Sequence, residues 1–318
     1  MIRNVHIWLP SYIARAIKGL FRLSPHGPIH IIFCLVDHFE PKWNRPPYEV
    51  QRRRVDVWVE GYPKIAGKHS DSNGYHPRHT WFYPIEEYEP EFLDKLSKLC
   101  KDGYGEIEIH LHHDNDTPEG LKGKLEEGKR LFSEHGVLGR YENKVVYAFI
   151  HGNWALDNSR KDGRWCGVNN ELQILRETGC YADFTLPSAP SDTQTRKINS
   201  IYYAVDDPLK PKSHNTGIDV RVRRGIKPSI DPLIGDLMII QGPLCLDWRA
   251  RKKRFLPGIE NGSISSDRPV TPRRVDLWVR QHIHVKGRPD WIFVVFVNRK
   301  GAHLTIEKGP TSGTLSEL

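Results

Sequence analysis

The stretch Gly105-Glu-Ile-Glu-Ile-His-Leu-His-His-Asp-Asn-Asp-Thr117 combines a strand pattern with a dense group of ionisable side chains. Successive side chains of a β-strand point to opposite faces of the sheet, so this run separates into two faces. One face carries Ile107, Ile109 and Leu111, and the other carries Glu106, Glu108, His110 and His112. We expect the apolar face to pack on helices and the ionisable face to point inward. Buried ionisable groups need a metal ion or a hydrogen-bond network, whereas a solvated strand end would leave the histidines on the surface.

The same alternation of short apolar runs with helical stretches extends over nearly the whole chain. It predicts one parallel α/β sheet rather than separate all-α and all-β parts. The predicted strands lie at about 30–37, 79–84, 105–112, 145–151, 181–186, 236–241 and 291–298, and the predicted helices at about 49–67, 88–101, 119–135, 169–178 and 271–285. Such a series of βα units forms either an open doubly wound sheet or a closed barrel, and periodicity leaves both open.

The composition fits one large globular domain and excludes several classes of protein. Of the 318 residues, 38% are hydrophobic and 26 are glycines, which excludes global disorder. No apolar run approaches the roughly 20 residues that span a bilayer. Five cysteines without a CxxC pair favour a reduced cytoplasmic protein. The sequence lacks a Gly-rich phosphate loop, a nucleophile elbow and a dinucleotide fingerprint, which excludes most kinases, α/β-hydrolases and Rossmann enzymes.

Charge and the N-terminal segment bear on the partners of the chain. The formal net charge of +8 favours acidic partners, but no recognition motif accompanies it, so no nucleic acid is expected. The first residues lack the pattern of a secretion signal. The apolar residues of this segment recur at helical spacing, namely Leu9, Ile13, Ile17, Leu20 and Phe21. Ser11 is the candidate cap, and basic residues lie among the apolar ones, namely Arg15, Lys18 and Arg22. We expect an amphipathic helix that closes the bottom of the domain, with peripheral docking on an anionic membrane as the alternative.

A second candidate group lies at the end of the first predicted strand, in Cys34-Leu-Val-Asp-His-Phe-Glu-Pro41. The carboxyl ends of strands are where βα folds place catalytic groups, which makes Asp37 and His38 candidates. Adjacent strand residues point in opposite directions, so both serve one site only if the strand ends there, as Pro41 favours. Alternatively, His38 and Glu40 are ordinary loop residues and Asp37 alone is functional.

A third group follows the fourth predicted strand, in Phe149-Ile-His-Gly-Asn-Trp-Ala-Leu-Asp157. Asn153 and Trp154 suit a sugar platform, because an aromatic face stacks on C–H groups while an amide bonds hydroxyls. Trp154 is equally compatible with a core position. Long loops on a βα scaffold carry binding residues, so the loop that follows adds further candidate substrate contacts. These are Arg164, Asn169 and Glu171.

In the order of these motifs the chain resembles the polysaccharide deacetylase superfamily, the NodB-like and YdjC-like carbohydrate deacetylases. Val36-Asp-His-Phe39 stands where that family has a paired-Asp motif, and Glu108-Ile-His-Leu-His112 matches its Glu-Ile-x-x-His motif. The resemblance covers roughly residues 28–300 and implies a distorted (β/α)7 barrel, a single domain with long loops at the carboxyl end of the strands. It implies three segments, namely the N-terminal helix at 1–27, the barrel at 28–305 and a loose tail at 306–318.

The resemblance also implies an activity, a metal-dependent hydrolase that removes an acyl group, N-acetyl above all, from a polysaccharide or its lipid-linked precursor. Such an enzyme would act in exopolysaccharide biosynthesis. Asp37 would accept the proton of the attacking water beside a divalent cation. Zinc is the first choice of cation, although nickel, cobalt or iron accept the same ligands. The implied ligands are His38, His112 and one of His110, Asp116 or His151.

The chain departs from the family pattern at three positions. His38 replaces the second Asp of the first motif, and Asp116 stands where a second motif histidine is expected. The last strand has no histidine for the general acid. The substitutes are Asn298, His282, His284 and His303. Two alternatives therefore stay open, a glycoside hydrolase with paired carboxylates such as Asp37 and Asp183, and a catalytically inactive glycan-binding homologue.

Overall fold

Seven parallel strands form the centre of the fold. The computed structural model of the chain describes residues 4–22, 25, 27–222, 235–252, 256–265 and 268–298. The spatial order of the strands is β13 (Trp291–Asn298), β1 (His30–His38), β2 (His79–Pro84), β3 (Gly105–Leu111), β5 (Lys144–His151), β6 (Cys180–Asp183) and β9 (Leu237–Ile240). Each neighbouring pair is parallel. All seven predicted strands are confirmed, β6 being shorter than expected, and the chain is a mixed α/β domain with a large, mostly parallel sheet.

Shorter strands occupy the two edges of the parallel series. Antiparallel β7 (Ile201–Ala204) pairs with β9 and carries β8 (Ile218–Asp219), while β12 (Ser263–Ile264) pairs with β13. Because β7 and β12 take these edges, the sheet is not closed between β9 and β13 in the described part of the chain. The remaining strands are β4 (Gly139–Tyr141), which pairs with β5, and the hairpin of β10 (Cys245–Lys252) and β11 (Leu256–Glu260).

The sheet curves around a core on its inner face. That core contains Val36, Phe82, Ala148, Ile150, Val295 and Val297, with Cys34, Phe184 and Ile240 packed against it. Strands from both ends of the parallel series therefore contact one cluster. A Cβ at Gly242, just after β9, would lie only 2.5 Å from the Val295 carbonyl oxygen of β13. The chain thus approaches β13 at a distance that only glycine permits.

Helices cover the outer face of the sheet. They are α2 (Tyr48–Ala66), α3 (Pro90–Lys101), α4 (Pro118–Glu134), α5 (Glu171–Glu177) and α6 (Pro272–Arg280). Local sequence sets several starts, since Pro90, Pro118 and Pro272 open their helices. The Thr117 side chain accepts a hydrogen bond from the Gly120 N–H and caps α4. The predicted helices are confirmed, α6 being shorter than expected.

The N-terminal helix α1 (Val5–Leu20) packs through a face that the sequence did not predict. It begins before Ser11, so Ser11 is not its cap. Fully buried Trp8 packs with Ala189, Ile198 and Leu244, residues that follow β6 and β9 at their carboxyl ends, so α1 does not close the bottom of the sheet. Leu9 of the predicted packing face is half-buried, whereas its other members are exposed, with Ile13, Ile17, Leu20 and Phe21 at 49, 53, 82 and 81%. Among the described helices, none combines the length and apolar character needed to cross a bilayer.

Candidate metal centres

The carboxyl ends of β1 and β3 bring four ionisable side chains together on the inner face of the sheet. On β3 the predicted alternation is confirmed, because Ile107, Ile109 and Leu111 pack in the helix-side core whereas His110 is buried among inner-face groups. His38 and Glu40 are two residues apart, and both side chains meet His110. We call His38, Glu40, His110 and His112 the Glu40 cluster.

One carboxylate oxygen in the Glu40 cluster lies among three imidazole nitrogens. Glu40 Oε1 is 3.6 Å from His38 Nδ1, 3.4 Å from His110 Nε2 and 3.8 Å from His112 Nε2. His38, Glu40 and His110 are buried and offer donor atoms within 4.8 Å of one another, close enough to share one metal ion. The His112 side chain is 31% exposed and lies at the solvent side of the cluster.

In the rings of His110 and His112, the contact made by Nδ1 determines that Nε2 is the nitrogen facing Glu40. His110 Nδ1 is 2.7 Å from the Ile150 carbonyl oxygen, and His112 Nδ1 is 2.5 Å from Glu86 Oε1. Only an N–H can donate to these acceptors, so each ring, when neutral, turns its Nε2 lone pair toward Glu40. A lone pair facing a carboxylate is repelled unless a proton or a metal ion lies between them. Metal-ligating histidines are commonly held by such second partners.

Burial and neighbouring charges shift the pKa values of ionisable groups in and beside the Glu40 cluster. Burial alone would raise the pKa of Glu40, but the imidazoles of His110 and His38 lower it well below its usual range. Burial would lower the pKa of His112, but the Glu86 carboxylate raises it. Glu87 has its pKa raised to about 7 by burial and accepts a hydrogen bond from the Lys42 backbone N–H. A carboxyl group that titrates near neutral pH therefore lies beside the cluster.

Asp37 lies on the other face of the sheet from His38. Strand β1 remains extended through His38, so these neighbours point in opposite directions. Asp37 Oδ2 is 3.2 Å from His79 Nε2. The His79 ring packs on Trp58, Tyr62 and Trp81 in the helix-side core. The strand does not end between Asp37 and His38, as a shared site required, so the structure does not bring Asp37 into the Glu40 cluster.

A second buried cluster lies where the ends of β3 and β5 meet the loop before α5. We call its four residues, His113, His151, Cys166 and Glu171, the Glu171 cluster. Glu171 Oε1 is 3.2 Å from His113 Nε2 and 3.5 Å from His151 Nε2. Glu171 Oε2 is 3.3 Å from Cys166 Sγ and accepts the Asp157 N–H at 2.6 Å. Burial lowers the pKa of His151 to about 3, so this ring is neutral near pH 7.

The structure divides the predicted metal ligands between the two clusters. His38, His110 and His112 belong to the Glu40 cluster, and His151 belongs to the Glu171 cluster. Asp116 is a donor in neither, because its Oδ2 lies 3.1 Å from His113 Nδ1 and 2.7 Å from Lys124 Nζ. It therefore orients a member of the second cluster.

Two of the predicted substrate contacts lie next to the Glu40 cluster. Asn153 and Trp154 have positive φ values of 55° and 59° in the tight turn after β5. A Cβ on Gly152, just before them, would lie 2.3 Å from His112 Cδ2, so the turn packs directly on the His112 ring. The half-buried Trp154 lies on the same turn, two residues after Gly152.

The other predicted substrate contacts have partners within the protein. Arg164 donates to Asp162 in an exposed loop, and the Asn169 side chain accepts a hydrogen bond from Asn158. Glu171 is fully buried within its cluster, so it is not placed to touch a substrate. The loop before α5 thus contributes more to internal contacts than the sequence indicated.

The candidates for the missing general acid lie away from the Glu40 cluster where the structure describes them. His282 and His284 flank Ile283, which pairs with Phe293 of β13. Phe293 lies five residues, or roughly 16 Å of strand, before the carboxyl end of β13. His303 and the tail at 306–318 lie outside the described residues, as does the side chain of Asn298.

Sequence reasoning missed Glu40, Glu86, His113 and Cys166. The spacing of His38 and Glu40 is the same two-residue spacing that selected His110 and His112, so Glu40 could have been found. Cys166 gave no local signal, because its partners come from distant segments.

Comparisons of the chain with protein-family models and with curated proteins find no match.

Proposed function

We propose that the chain is a divalent-metal-dependent hydrolase that removes an acyl group, N-acetyl in the first instance, from an amino sugar of a polysaccharide or its lipid-linked precursor. The observation that carries this proposal is the position of Glu40 Oε1 within 3.4–3.8 Å of three imidazole nitrogens. His38, Glu40 and His110 would hold the ion, with zinc favoured by a set of two imidazoles and one carboxylate. A bound cation would lower the pKa of a water ligand and polarise the acyl carbonyl.

The side chains beside the cluster would move the protons. His112 is oriented by Glu86 and has a raised pKa, which suits it to protonate the leaving amine. Glu87, whose pKa is about 7, is the candidate that accepts the proton of water. In this proposal Glu87 takes the role first expected of Asp37, which pairs with His79 on the other face of the sheet.

The substrate class rests on the motif resemblance and on the turn after β5. Asn153 and Trp154 lie on that turn, which packs on His112, so a sugar stacked on Trp154 would have its acyl group near the cluster. Arg164 and Asn169 would act as more distant contacts on the following loop.

We further propose that the sheet is a distorted (β/α)7 barrel whose wall is interrupted between β9 and β13. Two observations support this interpretation, the inner core shared by strands from both ends of the series and the approach of Gly242 to Val295. An interrupted wall would leave the inner-face histidines reachable from the carboxyl ends of the strands.

An anionic membrane surface is the partner we propose for α1, in a cytoplasmic protein whose five cysteines are free thiols. Leu20 and Phe21 are exposed at the end of α1, and Lys18 and Arg22 flank them. The double variant Leu20→Asp, Phe21→Asp should lose sedimentation with phosphatidylserine vesicles. Equal sedimentation of the variant and the parent would refute the contact.

The test of the activity is acetate release from N-acetylated oligosaccharides of glucosamine and galactosamine. The parent and Glu60→Gln, a change at an exposed glutamate of α2, should both release acetate, and a chelator should stop them. Glu40→Gln should be inactive under the same conditions. New reducing ends that persist with chelator would instead indicate a glycoside hydrolase, and sugar binding without any product would indicate an inactive homologue.

A further inference from the structure

The Glu171 cluster has the donor set and burial of a second metal centre. Its donors come from four parts of the chain, the end of β3, the end of β5, the loop before α5 and the first residue of α5. The side chains of His113, His151 and Glu171 are 0% exposed, and Cys166 is fully buried. Two imidazoles, a carboxylate and a thiol are four donors of the kinds that zinc binds, and structural zinc sites have four protein ligands.

In both histidines the outer nitrogen lies beside an oxygen atom and the inner nitrogen faces Glu171. His151 Nδ1 donates to the Gly152 carbonyl oxygen, and His113 Nδ1 lies 3.1 Å from Asp116 Oδ2. Both Nε2 atoms then face the same Glu171 oxygen, and His151 Nε2 has no hydrogen-bond partner although it is buried. An unpartnered buried nitrogen aimed at a carboxylate is costly, and a cation between them removes that cost.

Two backbone N–H groups point at the Cys166 sulfur, whereas burial and the Glu171 carboxylate raise the pKa of its thiol, so that a cation has to displace the proton. Cys166 Sγ accepts hydrogen bonds from the Asn158 N–H at 3.2 Å and from the Val168 N–H at 3.4 Å. Two backbone donors stabilise negative charge on sulfur, as in metal-bound thiolates. A divalent cation with one thiolate, one carboxylate and two neutral imidazoles has no net charge, which favours a fully buried site. On binding, the Cys166 thiol would release its proton to solvent.

We propose that the Glu171 cluster binds a structural cation of the zinc class, separate from the ion of the Glu40 cluster. No donor is shared between the two clusters, so this inference does not depend on the proposed activity. The ion would tie the loop before α5 to the ends of β3 and β5. The Asp116 N–H already donates to the Cys166 carbonyl oxygen across that junction at 2.9 Å.

Cobalt is the probe that separates the two centres, because thiolate-to-cobalt charge transfer absorbs in the near ultraviolet and only the Glu171 cluster offers a thiol. The cation-free parent titrated with cobalt should develop this band, and Cys166→Ser should lose it together with about one equivalent of bound cobalt. The matched variant Cys180→Ser changes another buried cysteine and should retain both. Glu40→Gln should also retain the band, which separates this inference from the proposed function.

Two results would overturn the proposal. One is a parent protein that binds cobalt without any thiolate band, an outcome that does not depend on whether a variant folds. The other is a Cys166→Ser protein, shown to be folded by circular dichroism, that keeps the band and the full cobalt content of the parent.

Discussion

Replacing Glu40 by Gln should change the stability of the chain in opposite directions without and with a divalent cation. When its ring is neutral, His110 turns the Nε2 lone pair toward the Glu40 carboxylate in the cation-free protein. A glutamine amide could donate an N–H to His110 instead, and one such hydrogen bond contributes about 0.5–1.5 kcal/mol. We therefore expect the cation-free variant to be at least as stable as the parent at a pH where the imidazoles of the cluster are neutral, which for His112 lies above the ordinary range because Glu86 raises its pKa.

With a cation bound, the same substitution should weaken binding strongly. Removing one partner of a buried charge pair costs about 3–5 kcal/mol. For the cation of the Glu40 cluster this corresponds to a rise in Kd of roughly 10²–10⁴-fold. A cation present at about a hundred times the parent's Kd adds about 2.7 kcal/mol to the stability of the parent, and almost none of this should remain in the variant.

The assay is urea unfolding of the parent, Glu40→Gln and the control Glu60→Gln, each with chelator and with zinc. The Glu171 cluster is intact in all three proteins, so its contribution cancels in the comparison. A Glu40→Gln protein that gains as much stability from zinc as the parent would refute the role of Glu40 as a ligand. A variant destabilised to the same extent in both conditions would show that Glu40 is only a structural residue.

Three further predictions follow from other parts of the structure. Gly242→Ala should lower the free energy of unfolding by about 1–3 kcal/mol, because its Cβ would contact the Val295 carbonyl oxygen. The control Gly123→Ala lies in open space on α4 and should raise the free energy of unfolding by about 0.5–1 kcal/mol. Urea titration of both variants checks the close approach of the chain to β13. Burial raises the pKa of Asp183 to about 7, so the unfolded chain loses this proton at a lower pH than the folded chain and stability falls as pH rises toward 7. Asp183→Asn should remove that fall, worth about 1.4 kcal/mol per unit of pKa difference, and an equal pH dependence of both proteins between pH 5 and 8 would contradict it. Asp37→Asn should leave the cation content of the Glu40 cluster unchanged by elemental analysis, because Asp37 lies on the other face of the sheet, and loss of the ion would show that the two faces communicate.

The positions of the parallel strands could be predicted from sequence because each one is a short apolar run with its own periodicity. The edge strands β7 and β8 could not, since they lie in a tract rich in Gly and Pro and are fixed by pairing with β9 rather than by local pattern. For the same reason the sequence could not show that β7 takes the edge through which a barrel would close. In α1, the apolar spacing located a helix, but burial followed Trp8, the larger side chain, and left Leu20 and Phe21 exposed.

The candidate sites were predictable only where donors are close in sequence. The two-residue spacing located His110 and His112, whereas the pairing of His113 with Glu171 joins residues 58 positions apart. The face of Asp37 could not be read from composition, because it depends on whether β1 stays extended for one more residue. Only the fold decides such a question.

Whether the Glu40 cluster binds a metal ion is tested most directly by a crystal structure of the zinc-loaded protein with an anomalous difference map at the zinc edge. We expect a peak bonded to His38 Nδ1, His110 Nε2 and a Glu40 oxygen, with ligand distances of about 2.0–2.2 Å. A zinc-saturated crystal with no density at that position, and with Glu40 in direct contact with the imidazoles, would show that the cluster is not a zinc site.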